Sequence, residues 1–117
     1  MNAQEPAYWT WTISRALGRF LILRELCARP AHGYALTARV ARRTRGVFQP
    51  TQASIYPALA ELERCGCIAV QTERSGHRSR HVYTATPAGR QACRLGREAW
   101  RKGFDAAMGG SRNGRRA

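Results

Sequence analysis

The residues with the most chemical content lie between positions 51 and 64. The run Thr51-Gln52-Ala53-Ser54-Ile55-Tyr56-Pro57-Ala58-Leu59 sets hydroxyls, a carboxamide and small side chains at the start of a helical period. Ile55, Leu59 and Leu62 recur at i, i+4 and i+7, which makes them the inward stripe. About half a turn away lie Ala53, Pro57, Ala60 and Arg64, with Gln52 and Tyr56 on the flank. Thr51 suits the cap, because its hydroxyl can accept from an otherwise orphan backbone N–H. Such a face fits the floor of a DNA major groove. Alanine methyls can touch thymine methyls, Gln52 can pair with adenine, and the helix N-terminus with Thr51 can hold a phosphate. The residues expected to meet DNA here are Thr51, Gln52, Ala53, Ser54, Tyr56 and Arg64.

A second group follows. Ile68, Val70 and Thr72 alternate with Ala69, Gln71 and Glu73, Ser75 to Ser79 reads as a hairpin tip, and Arg80 to Ala85 is the return strand. His77, Arg78 and Arg80 therefore sit on or near a thin loop that can reach a phosphate or a narrow minor groove. A solvated loop would carry the same charges, but the hairpin occurs together with the groove-reading helix. Arg39, Arg42, Arg43 and Arg45 are placed on or near the outer side of the preceding helix, where solvent exposure explains them as well as phosphate contact does.

The elements that must position these groups follow from periodicity and punctuation. Residues 1–12 form an aromatic N-terminal extension with Tyr8, Trp9 and Trp11; a helical period starts at Ile13 and is stopped by Pro30. Gly33 to about Thr44 is a second helix, Thr51 to Cys65 a third, and Gly66 a left-handed cap. After the hairpin, Thr86-Pro87 opens a last helix running to about Met108. Residues 109–117 are polar, glycine-rich and basic, and are expected to be disordered. The fold class is thus mainly α with a small β-hairpin. A winged helix-turn-helix domain spans residues 13–86 and a C-terminal dimerisation helix spans residues 87–108. In such domains the second helix of the pair enters the major groove.

The chain has 117 residues, with 20 Lys+Arg against 7 Asp+Glu and a formal net charge of +13. That length supports one domain. The charge favours anionic partners, nucleic acid before an anionic membrane. No apolar run reaches the ~18 residues a membrane span needs. Neither a signal peptide nor a disulfide scaffold is expected, and a reducing, cytoplasmic setting follows from the cysteine usage. Cys65-Gly66-Cys67 lacks the spacing of a zinc or thioredoxin site. No phosphate-cradling glycine loop, paired carboxylates or nucleophile–base grouping is present in the sequence, so neither a metal, a cofactor nor catalysis is expected.

Three blocks, taken together, resemble the PadR-like family of transcriptional regulators. They are His32-Gly33-Tyr34, the run from Pro50 to Leu59 continued by Leu62-Glu63-Arg64-Cys65-Gly66, and Arg80-His81-Val82-Tyr83-Thr84-Ala85-Thr86-Pro87-Ala88-Gly89. The resemblance covers about residues 14–108. It implies a bacterial homodimeric repressor on a two-fold symmetric DNA operator, with the last helix packed against the partner and the first helix contributing. It also implies the compact branch of the family, in which an aromatic residue on the last helix stacks planar, apolar effectors near the dimer axis; Trp100 falls at the matching position. Departures from the family pattern are Ala53 for a common glycine, His81 for a usual lysine, Val82 for an aromatic, Thr84 for an arginine and Ala85 for a leucine. They leave the wing less basic.

On the last helix, Ala92, Leu95, Ala99, Gly103 and Ala106 form a seam of mostly small residues that permits close helix approach. Cys93, Trp100 and Phe104 lie on an adjacent stripe. The effector and dimer group is Trp9, Trp11, Cys93, Ala99, Trp100 and Phe104, with Trp9 and Trp11 either capping the slot or packing on the partner. Ordinary interface filling would explain the aromatics as well. Two other readings are a basic protein that binds DNA or RNA without sequence choice, and a small-molecule-binding module.

Overall fold

The computed structural model describes the backbone of residues 2–116 and the side chains of residues 2–109. Four helices and a three-stranded antiparallel sheet follow one another: α1 (Pro6–Ala28), β1 (Ala31–His32), a 3-10 turn (Gly33–Ala35), α2 (Leu36–Arg43), α3 (Gln52–Arg64), β2 (Ile68–Ser75), β3 (Arg78–Ala85) and α4 (Pro87–Arg116). The sheet order is β1-β3-β2. This is the winged helix-turn-helix arrangement, with one correction to the hairpin. β1 adds a third strand, pairing Ala31 with Tyr83 and His32 with Val82. Two residues are too few to show an alternating pattern.

The core is where the helical stripes meet. Leu26, Leu36, Ile55, Leu59 and Val40 are the largest fully buried side chains, so α1, α2 and α3 each supply one face of a shared interior. Ile68 seals it from the sheet and Cys93 from α4. The hairpin is anchored in this way by a single well-buried residue at its base, and its outer two thirds stand in solvent. Thr86 caps α4 by accepting from Gly89 N–H at 3.0 Å, while its own hydroxyl donates to the Gly66 carbonyl at 2.7 Å. Gly89 is required there: a Cβ would lie 1.9 Å from the Cys67 carbonyl oxygen, a backbone atom with nowhere to go.

α1 begins at Pro6, not at residue 13, so most of the expected extension is helical. Proline at the first helical position costs no hydrogen bond and presets φ. The helix shows no apolar period before Ile13 because Trp9 and Trp11 are about half exposed. Trp9 Nε1 instead donates to the Ala3 carbonyl at 2.8 Å, tying down the chain ahead of the helix. The disorder expected for 109–117 falls on residues whose side chains lie almost wholly outside the described set.

Arg39 is the second correction. Expected on the outer side of α2, it is 7% exposed. Its guanidinium donates to the carbonyls of Pro30 (3.1 Å), Glu25 (2.8 Å) and Arg29 (3.2 Å). The Arg29 and Pro30 carbonyls lie just beyond the end of α1, where helix geometry leaves oxygens without helical N–H partners, and the Glu25 carbonyl accepts from the Arg29 N–H as well as from Arg39. The Glu25 carboxylate, also buried, lies 3.7 Å from Arg39 Nε and is hydrogen-bonded by Arg43 Nε. Burial, and then the neighbouring Arg29 charge, pull the Arg39 pKa down, with Glu25 opposing them. Arg39 is thereby a structural clamp between α1 and α2.

Candidate nucleic-acid interface

The exposed face of α3 is built from its first turn. Thr51 closes a reciprocal capping box with Ser54: the Ser54 N–H donates to Thr51 Oγ1 and the Thr51 N–H to Ser54 Oγ, both at 3.2 Å. Two otherwise orphan backbone donors are satisfied locally, which stiffens the helix start. Ile55, Leu59 and Leu62 are buried as the spacing requires, and Gln52, Ala53, Ser54, Tyr56 and Arg64 are all exposed. Pro57 sits inside the helix. It has no N–H to offer the Ala53 carbonyl, so that oxygen lacks its usual donor one turn on.

Two of these residues also carry structural duties that the sequence alone did not show. Gln52 Nε2 donates to the Tyr34 carbonyl (3.2 Å) and to Thr37 Oγ1 (3.3 Å). It braces α3 against the 3-10 turn and α2, leaving Oε1 as its free group. The Tyr56 ring packs on Gly33, where a Cβ would come within 2.8 Å of Cε1. The glycine of His32-Gly33-Tyr34 is there to receive that ring. Tyr34 stacks on His32 with centroids 5.6 Å apart and planes 12° apart, which turns its exposed edge toward the same side.

The hairpin is longer than expected at its tip, because β3 starts at Arg78 and Ser75 pairs with Arg78. Gly76 takes φ +63°, the left-handed conformation that the two-residue turn with His77 needs. Arg78 and Arg80 therefore lie in the strand two residues apart, on one face. That face is shared with Glu73, the register partner of Arg80, and is opposite to the one carrying Ile68, Val70 and Tyr83. His32, Tyr34, Tyr56, Arg80, His81 and Tyr83 are among the residues around a cleft of about 200 Å³ between wing and α3. Burial raises the Tyr83 pKa, with smaller contributions from Tyr56 and Glu63. Reading helix and wing thus form one continuous exposed surface. Arg74, on β2 at the level of Ser79, adds a cation that sequence reasoning left aside.

The expected effector group is divided by the structure. Trp100 and Phe104 are half exposed on α4 with ring centroids 5.8 Å apart, and Ala99 is exposed beside them. Trp100 and Arg97 of α4 face Leu17, Phe20 and Arg24 of α1 across a cavity of about 250 Å³. Cys93 lies on the same stripe of the helix but is not exposed with them. It is 6% exposed and faces Cys27 and the core, because the first turns of α4 press on α1 while the later ones stand clear. Burial, then the proximity of Cys93, raises the Cys27 pKa. Trp9 and Trp11 are not among the residues around the Trp100 cavity. Among the described residues no group of His, Cys, Asp and Glu is placed to hold a metal ion, and no helix is long and apolar enough to cross a membrane.

Comparison with known proteins matches this geometry. A family model described as the transcriptional regulator PadR-like family matches residues 22–95. The chain is 32% identical over 96 residues to transcriptional regulator Rv3488 of Mycobacterium tuberculosis, covering 82% of this chain and 87% of that protein. A PadR family transcriptional regulator from Eggerthella lenta superposes with a TM-score of 0.78 at 25% identity, over 86% of this chain and 87% of that one. Bacillus subtilis PadR, solved in complex with operator DNA, superposes with a TM-score of 0.61 at 25% identity, over 67% of this chain and 45% of that longer one.

Proposed function

Because the chain belongs to the PadR-like family of transcriptional regulators, we propose that it binds an operator as a symmetric pair, each copy inserting the first turns of α3 into the major groove and laying its wing on the flanking backbone. The observation that carries this reading is the state of α3. Its start is capped and braced, its face is exposed, and its Tyr56 borders the same cleft as Arg80 of the wing. A helix ordered before binding loses little further entropy on docking. Thr51 and Ser54 meet a phosphate at the helix N-terminus. Ala53, Gln52 Oε1 and Tyr56 face the base edges, and His77, Arg78, Arg80 and Arg64 hold backbone phosphates. The likeness to Bacillus subtilis PadR, whose structure contains operator DNA, supports the same partner here.

The pair forms through α4. Trp100, Phe104 and Met108 are exposed along one side of it, an apolar face of the kind that helix association buries. The regulator is a repressor, and a planar apolar effector stacked on Trp100 near the dimer axis relieves it by favouring a spacing of the two α3 helices that misfits the operator. Selection of bound sequences from a random duplex pool tests the reading. A two-fold symmetric site is expected; recovery of unselected sequence would instead favour a basic protein without operator choice.

A further inference from the structure

The end of α1 and the later turns of α2 border a cavity of about 350 Å³, lined by Arg29, Arg39, Arg42, Arg43 and Glu25. Four guanidinium groups thus share one space with one carboxylate. That carboxylate is already engaged: Arg43 Nε hydrogen-bonds it and Arg39 Nε lies 3.7 Å away. Arg39 has given its terminal N–H groups to the carbonyls of Pro30, Glu25 and Arg29, and its buried Nε has no hydrogen-bond partner. Arg29 and Arg42 are exposed and have no ion-pair partner among the described residues.

Positive charge here is therefore in excess of what the fold uses. Burial first, and then Arg29, Arg43 and Arg42, lower the Arg39 pKa, with Glu25 alone raising it. A helix C-terminus attracts cations through its free carbonyls, but Arg39 has already taken those at the end of α1. A cleft walled by one sign of charge focuses its potential on whatever enters. The volume lies within the roughly 300–1,000 Å³ of small-ligand sites, and the walls are charged, so the matching ligand is an anion.

We propose that this cavity is a binding site for a compact polyphosphate group, of the kind carried by inorganic pyrophosphate and nucleoside diphosphates. Guanidinium forks match phosphate oxygens two at a time. Two forks without partners, Arg29 and Arg42, suit an anion with two phosphoryl groups better than one with a single group. No residue of α3 or of the wing borders the cavity. The ligand thus ties the end of α1 to α2 and leaves the exposed face of α3 open to a duplex.

The probe is pyrophosphate, titrated calorimetrically into the full chain at fixed ionic strength, with orthophosphate for comparison. One pyrophosphate per protomer is expected, with orthophosphate weaker by about tenfold or more, the scale of one lost charged hydrogen bond. Arg29→Gln/Arg42→Gln should lose about tenfold or more in pyrophosphate affinity. Arg78→Gln/Arg80→Gln removes equal charge from the wing and should change it by less than about twofold, because charges away from the site are screened. Arg42→Gln alone, at an exposed position, should lose about threefold or more, which keeps the test intact if the double variant fails to fold. Pyrophosphate should bind equally well when the chain is saturated with duplex. The proposal is overturned by absence of saturable binding, by equal affinity for the two phosphates, by equal losses in the two double variants, or by unchanged affinity in Arg42→Gln. Loss of pyrophosphate binding on adding duplex would also overturn it, by assigning these arginines to DNA backbone phosphates. If no duplex binds, the functional reading alone fails, because the titrations without DNA still decide the site.

Discussion

Placing a methyl group on Gly33 should separate local stability from packing in a way that can be worked through. Gly33 has no positive φ, so alanine is acceptable to the backbone. By restricting the unfolded chain it would stabilise the protein by about 0.4–1 kcal/mol if nothing stood in the way. The Tyr56 ring does stand in the way, with Cε1 2.8 Å, Oη 3.1 Å and Cζ 3.2 Å from the new Cβ. The ring must move by half an ångström or more to reach ordinary contact, and overpacking of this kind costs about 1–3 kcal/mol. Gly33→Ala is thus expected to destabilise the protein in the parent chain and to stabilise it in a Tyr56→Ala background. The gain in the unfolded chain is common to both backgrounds and cancels, so the coupling energy of the cycle should equal the overpacking cost, about 1–3 kcal/mol. Urea unfolding at one fixed protomer concentration measures all four corners, with concentration held constant because association shifts apparent stability. Additivity within about 0.5 kcal/mol would refute the claim that the glycine exists to seat Tyr56.

Other expectations follow from the same geometry. Arg78→Ala and Arg80→Ala should each weaken binding to every duplex and reduce the slope of log K against log salt by about 0.9; an unchanged slope would remove them from the phosphate contacts. Arg39→Leu should cost about 3 kcal/mol in urea unfolding, because Glu25 and the carbonyls at the end of α1 lose their buried partner; a change below about 0.5 kcal/mol would contradict the clamp. The raised pKa values of Cys27 and Tyr83 set a pH dependence. Groups raised in the folded state support it fully below their unfolded pKa, so stability should decline from about pH 8.5 upward, and Cys27→Ala should flatten the onset of that decline.

The parts of the molecule visible in the sequence are those where a local pattern coincides with its tertiary use. The Ile55, Leu59 and Leu62 stripe, the Thr51 cap and the alternation from Ile68 to Thr72 are each written within a dozen residues, and each appears in the structure. β1 is not of that kind: Ala31 and His32 become a strand only because Tyr83 and Val82 come alongside. Arg39 reads like its neighbours Arg42 and Arg43, and what buries it is the set of carbonyls at the end of another helix. Cys93 faces inward and Trp100 outward because α4 leaves the body of the protein partway along its length, a matter of helix direction. The brace from Gln52 to Tyr34 and the seat of Tyr56 on Gly33 have the same origin. They link the reading helix to a turn about 20 residues earlier, and a single sequence holds no record of that contact beyond the glycine itself.

The most direct measurement is the ratio of dissociation constants for a selected duplex and for its shuffled counterpart at one salt concentration, taken for the parent chain and for Gln52→Ala and Tyr56→Ala. If the first turns of α3 read base edges, the parent ratio should be about 10³ or more and should fall in both variants, with shuffled-duplex affinity nearly unchanged. A parent ratio near one, or equal losses on both duplexes, would contradict it.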